Sequence, residues 1–130
     1  LSDQSKAVWD TFKMIARQLP ASLGAYVISM VHAPSDVLAV CLLQQEAGVQ
    51  HPLRVVPLFE TRAALLSAAD CLNTLLKNPW YYAFIQGRQE LMIGYSDSGK
   101  DAGIIASGWA QYQAQEQLVA VAALYDVQLT

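Results

Sequence analysis

The sequence predicts an α/β fold in which helices alternate with parallel strands, and two observations carry that prediction. Stretches with apolar residues at helical spacing are separated by short runs rich in β-formers, AYVISMV, LRVVPLF and LMIGY, and the boundaries are marked by turn or capping residues. The composition agrees: of 130 residues, 54% are hydrophobic and 15% charged, so the chain, read as one unit over residues 1–130, has much to bury. Strands that alternate with helices are joined by right-handed crossovers, which sets them parallel in a sheet covered on both faces. Spacing fits both an open doubly wound sheet and an arc of a (β/α) TIM-like barrel. In either, chemistry collects at the carboxyl ends of the strands.

The first helix is read over residues 2–19, where Val8, Phe12, Ile15 and Leu19 fall at spacings of four, three and four and Pro20 closes the run. A Ser22-Leu23-Gly24 turn leads into a buried strand over 25–31, ended by His32-Ala33-Pro34. Ser35 and Asp36 are candidate caps for a second helix through Ala47, with Gly48 where a left-handed residue commonly ends a helix. The next strand, 53–59, contains Pro57, which a strand tolerates only near an end, an edge or a bulge. Glu60 and Thr61 form the junction to a third helix, in which Leu65, Ala69, Leu72 and Leu76 keep helical spacing until Asn78-Pro79. Residues 80–85, with Trp80, Tyr81, Tyr82 and Phe84, read as one or two helical turns packing under the sheet rim. Gly87 then punctuates, and 91–95 is the third strand. A last helix runs from Asp101, its cap, to about Tyr125 and carries Ala102, Ile105, Trp109, Tyr112 and Val119 on one stripe; 127–130 begin a fourth strand.

Eleven acids against eight bases give a net charge of −3 without a clustered basic face, so no nucleic-acid partner is expected. No stretch resembles a signal peptide, and the longest apolar runs, such as 37–43, fall far short of the roughly 18 residues that span a bilayer, so no membrane partner is expected. Cys41 and Cys71 lie inside apolar helical patterns without C-x-x-C spacing. They read as buried thiols of a reducing, cytoplasmic compartment.

Residues 91–106, LMIGYSDSGKDAGIIA, concentrate the chemistry, because a strand, a turn composition and a helix N-terminus meet there and set free backbone N–H groups beside charged side chains. Two acids stand at the carboxyl ends of successive strands, Glu60 after LRVVPLF and Asp97 two residues past IGY. Neighbouring strands lie about 4.8 Å apart, so if these two pair, both carboxylates can converge on one cation, with oxygens at about 2.0–2.1 Å for magnesium. Read singly, Glu60 also fits a solvated acid beside a Thr61 cap, and Asp97 a turn former. Lys100 falls in the first turn of a helix, where a cation opposes the helix dipole by about 0.3–1 kcal/mol. A local rule broken at a suspected site signals function, and an ammonium there suits phosphate or bicarbonate; a solvated lysine balanced by Asp101 is the plain alternative. Gly94 to Lys100 also spells G-x-x-x-x-G-K, the start of a P-loop, but Asp101 stands where a nucleotide-binding loop needs Ser or Thr for its metal. A third reading is a non-catalytic α/β interaction module. His51 precedes Pro52 in a loop and reads as solvated, while His32 ends the first strand on the same rim as the two acids in a structural role.

The stretch LMIGYSDSGKDAG resembles the active-site signature of the phosphoenolpyruvate carboxylase family at Met92, Gly94-Tyr95-Ser96-Asp97-Ser98, Lys100-Asp101 and Gly103, and AYVISM, APSDVLAV, VVPLFET and GWAQYQAQE resemble family segments in the same order. The resemblance implies that residues 1–130 are a fragment from the middle of the catalytic barrel of a several-fold longer enzyme, a homotetramer. It further implies a Mg2+ or Mn2+ ion held by Glu60 and Asp97, with Lys100 catalytic near bicarbonate and the transferred phosphoryl group. Ser96 and Ser98, on either side of Asp97, are candidate substrate-binding residues. In such enzymes bicarbonate attacks the phosphorus of phosphoenolpyruvate, giving carboxyphosphate and an enolate, and the enolate carbon captures the carbon dioxide released, leaving oxaloacetate and phosphate. The family's catalytic histidine, phosphate-gripping arginines and glycine-rich loop have no match here. The fragment is therefore expected to need the rest of the parent polypeptide and to be inactive by itself. As an arc it would have unpaired outer strand edges and behave poorly alone.

Overall fold

The computed structural model describes residues 2–94 and 103–130. The chain runs α1 (Asp3–Ala16), a 3-10 turn (Pro20–Ser22), β1 (Ala25–Ile28), α2 (Pro34–Glu46), β2 (Arg54–Phe59), α3 (Arg62–Lys77), α4 (Pro79–Ile85), β3 (Arg88–Gln89), β4 (Met92–Ile93), α5 (Ile104–Leu124) and β5 (Gln128–Leu129). All strand pairs among the described residues are parallel. β1 pairs with β2 from Ala25↔Arg54 to Ile28↔Pro57, β2 with β4 at Leu58↔Met92 and Phe59↔Ile93, and β3 with β5 at Arg88↔Gln128 and Gln89↔Leu129. Leu91, between β3 and β4, donates its N–H to the Thr130 carbonyl at 3.0 Å, so the stretch 88–93 carries β5 beside it as well as β2. Neighbours in space thus follow chain order.

The alternating helices and parallel strands predicted from the apolar spacing are present. Pro57 lies in the middle strand of the three but at the last register pair with β1, so its missing N–H falls where that ladder ends. β2 buries side chains on both faces, Val55 and Phe59 on one and Val56 on the other, as a covered parallel strand must. The main core joins Val55 and Phe59 to Val37 and Cys41 of α2, to Leu65, Ala68, Leu72 and Leu75 of α3, and to Ala110, Ala114 and Leu118 of α5. Phe12 of α1 stacks on Tyr26 of β1, ring centres 5.1 Å apart. Both cysteines are free and buried. Burial pushes the Cys41 thiol up to about 12; the Cys71 thiol rises to about 11 through burial, with a smaller push from the negative charge of Asp36. Among the described residues no helix is long and apolar enough to cross a membrane.

Several boundaries differ from those expected, each for a physical reason. β1 stops at Ile28 rather than 31 because the backbone turns left-handed at Met30 (φ 55°). The N-cap of α2 is Ala33, with Pro34 in the first turn, so neither Ser35 nor Asp36 occupies the cap position; Asp36 acts from inside the helix, its carboxylate reaching back to the Ala33 N–H. β3 is an addition to the expected strands: Arg88-Gln89 lacks any strand composition, but it pairs with β5, and Gln89 is buried with its side chain accepting from the Tyr81 hydroxyl and donating to the Val55 carbonyl. α5 begins at Ile104 with Gly103 (φ 74°) at its N-cap position, so the cap is not Asp101, which itself lies outside the described residues. The α5 stripe also faces outward: Ile105 is 90% exposed, Trp109 60% and Val119 61%, while Ser107, Ala110, Gln111, Ala114 and Leu118 are buried. Small residues let α5 lie close along α3, its principal partner, and the bulky stripe is left outside.

Candidate metal centre

Glu60 is the first residue past β2, and its place is fixed from both sides along the chain. Phe59 is paired with Ile93, and Thr61 caps α3 by accepting the Ala64 N–H on its hydroxyl oxygen at 3.1 Å. With strand and helix both anchored, Glu60 spans the junction at the carboxyl end of the sheet. It is half-buried there.

Three strand ends converge on this residue. From β1, the Met30 N–H donates to Glu60 Oε1 at 3.3 Å. From β4, the Gly94 N–H donates to the Phe59 carbonyl at 2.9 Å, which holds Gly94 directly against Glu60. A Cβ at position 94 would lie 2.7 Å from Glu60 Cβ and 3.1 Å from its Cα, so only glycine allows the approach. The first glycine of the G-x-x-x-x-G-K pattern is thus explained by this contact.

Glu60 accepts no other hydrogen bond and forms no ion pair among the described residues. A half-buried carboxylate with one oxygen held by a backbone N–H offers its second oxygen to a ligand, and a carboxylate oxygen is the donor that hard divalent cations prefer. Its surroundings therefore fit a hard divalent cation. Glu60 is not a complete metal site, since no group of three or more His, Cys, Asp or Glu converges among the described residues. Its expected partner Asp97, the candidates Lys100, Ser96 and Ser98, and Asp101 all lie outside those residues. His32 is exposed on the β1 side of the rim, and it enters the local network through its backbone, donating its N–H to Asp36 Oδ2 at 2.9 Å. His51 is exposed, as expected of a loop histidine. Sequence reasoning missed Met30, whose contribution is a backbone group, and the contact role of Gly94.

The sequence model of the family described as phosphoenolpyruvate carboxylase matches residues 1–130. Among curated relatives, the chain is similar to a phosphoenolpyruvate carboxylase of Acinetobacter baumannii, 61% identical over 123 residues that make up 95% of this chain and 14% of the relative. A phosphoenolpyruvate carboxylase of Hahella chejuensis is 55% identical over 99% of this chain and 15% of its own length. One from the plant Phaseolus vulgaris is 54% identical over 99% of this chain and 13% of its own length. The chain thus spans about one seventh of the length of the curated relatives it matches.

Proposed function

Because this chain belongs to the phosphoenolpyruvate carboxylase family, we propose that it forms part of an enzyme that carboxylates phosphoenolpyruvate with bicarbonate to give oxaloacetate and phosphate. The observation that carries the reading is the match along all 130 residues combined with a ligand-ready carboxylate, Glu60, at the shared carboxyl end of parallel strands. In this reading the sheet is an arc of a (β/α) barrel, supported by strands that neighbour one another in chain order. Asp97 is the second metal-binding carboxylate. It stands three positions after Gly94, a reach of at most about 11 Å, and Gly94 touches Glu60.

When bound, Mg2+ or Mn2+ supplies the positive charge that offsets the developing enolate and phosphoryl charge. Glu60 and Asp97 contribute oxygen donors and hold the binding position at the strand ends. Lys100 presents its ammonium to the anionic reactants, and Ser96 and Ser98 contact substrate. The rest of the parent polypeptide completes the site, in a cytoplasmic homotetramer. The nucleotide-binding and interaction-module alternatives are set aside, since the family match runs through every residue on which they rested.

The test is made in the complete enzyme. Glu60→Gln and Asp97→Asn are each expected to abolish metal-dependent oxaloacetate formation and to weaken Mn2+ binding followed by electron paramagnetic resonance. Unchanged turnover and binding in both variants would overturn the metal assignment.

A further inference from the structure

Among the described residues, three non-glycines have positive φ: Met30 (55°), Gln86 (51°) and Asp126 (54°). Gln86 caps the C-terminus of α4 and Asp126 follows that of α5, where left-handed residues are ordinary. Met30 instead follows a strand, and its side chain is 59% exposed, so burial of that side chain does not account for the conformation. Strain of this kind persists only where the surroundings over-determine it. Here they do. Ile28 is held in the sheet, Val31 is buried in the core, and the Asp36 carboxylate grips the next two backbone groups, accepting the His32 N–H at 2.9 Å and the Ala33 N–H at 3.0 Å.

The product of this forced turn is one hydrogen bond, from the Met30 N–H to Glu60 Oε1 at 3.3 Å. We infer that the turn after β1, locked by Asp36 and left-handed at Met30, is a positioning device that fixes the Glu60 carboxylate with one oxygen held and the other presented to the metal. The inference rests on the proposal that Glu60 binds the metal. Met30 acts through its backbone and Asp36 through the turn, so both are positioning residues; partners that orient a ligand in this way typically set about 10–100-fold in metal affinity.

The experiment is Mn2+ titration of the complete polypeptide, reading free Mn2+ by electron paramagnetic resonance, with circular dichroism melting to check folding. Met30→Val, whose β-branched side chain disfavours positive φ, is expected to weaken binding about tenfold. Met30→Gly, which keeps the N–H and adopts the conformation freely, is expected to retain the affinity. Asp36→Ala should weaken binding as Met30→Val does; should that variant fail to fold, the Met30 pair decides. Equal affinity for Met30→Val and the unsubstituted protein would overturn the inference, as would a loss in Met30→Gly matching that in Met30→Val. Glu60→Gln separates the two levels. Abolished binding in Glu60→Gln with normal binding in Met30→Val removes only the positioning role, whereas normal binding in Glu60→Gln removes the metal reading and this inference with it.

Discussion

At position 94 the presence of a single methyl group decides how closely two strand ends approach. An alanine Cβ would meet the Glu60 backbone at 3.1 Å as well as its Cβ at 2.7 Å, and backbone cannot swing aside. Gly94→Ala is expected to part β4 from Glu60 and lower stability by about 1–3 kcal/mol. Denaturant midpoints measure this, with Gly24→Ala, where a Cβ meets nothing within 4 Å, as the comparison that changes little. The buried thiols make a pH prediction. Burial raises Cys41 to about 12 and Cys71 to about 11, so the folded chain keeps protons that the unfolded chain releases above about pH 8.5. Their contribution is whole below that pH and is lost as pH rises toward the folded values. Burial pushes the Tyr81 phenol in the same direction. Urea midpoints should therefore fall between about pH 8 and about pH 10.5, and a constant midpoint would contradict the burial of these groups. Residue identity announced Glu60, because an acid directly after an apolar β-run is conspicuous. It said nothing of Met30, since a left-handed non-glycine after a strand has no compositional mark.

Helices and strands were legible to the degree that their signals are local. Thr61 before α3 and the stop at Asn78-Pro79 act within a few residues, and the structure uses them: Thr61 accepts from Ala64, α3 ends at Lys77, and the structure adds that the Asn78 side chain caps α4 by accepting from Trp80 and Tyr81. The face that a helix buries is not local in this sense. On α5 the bulky stripe looked like the packing side, yet the buried side carries Ser107, Ala110, Gln111 and Ala114, because closeness to α3 rather than residue bulk set the orientation. The join between α2 and β2 depends on one polar side chain. Gln44 is fully buried, accepts the Leu53 N–H at 2.6 Å and donates to the Leu53 carbonyl at 3.1 Å. Gln44→Leu keeps apolar volume but strands both backbone groups, and chemical denaturation is expected to show a loss of about 1–3 kcal/mol. A loss under a few tenths of a kcal/mol would mean that water replaces the amide.

For the whole molecule, the described strand ends bring Met30 and Gly94 against Glu60, the arrangement proposed above as one wall of a metal site. The isolated 130 residues are therefore expected to form no oxaloacetate from phosphoenolpyruvate and bicarbonate in the presence of Mg2+; measurable bicarbonate-dependent product would overturn the proposal that the site needs the rest of its parent. The sequence by itself determined the alternation of elements, the parallel arrangement, the family and the candidate acid at the end of β2, because periodicity, caps and motifs are written in neighbouring residues. Only the tertiary structure decided which face of α5 is buried, that Arg88-Gln89 is a strand, and that Met30 and Gly94 close on Glu60. Those outcomes depend on groups thirty or more residues apart in the chain, brought together by sheet pairing and core packing, and no local pattern encodes such a meeting.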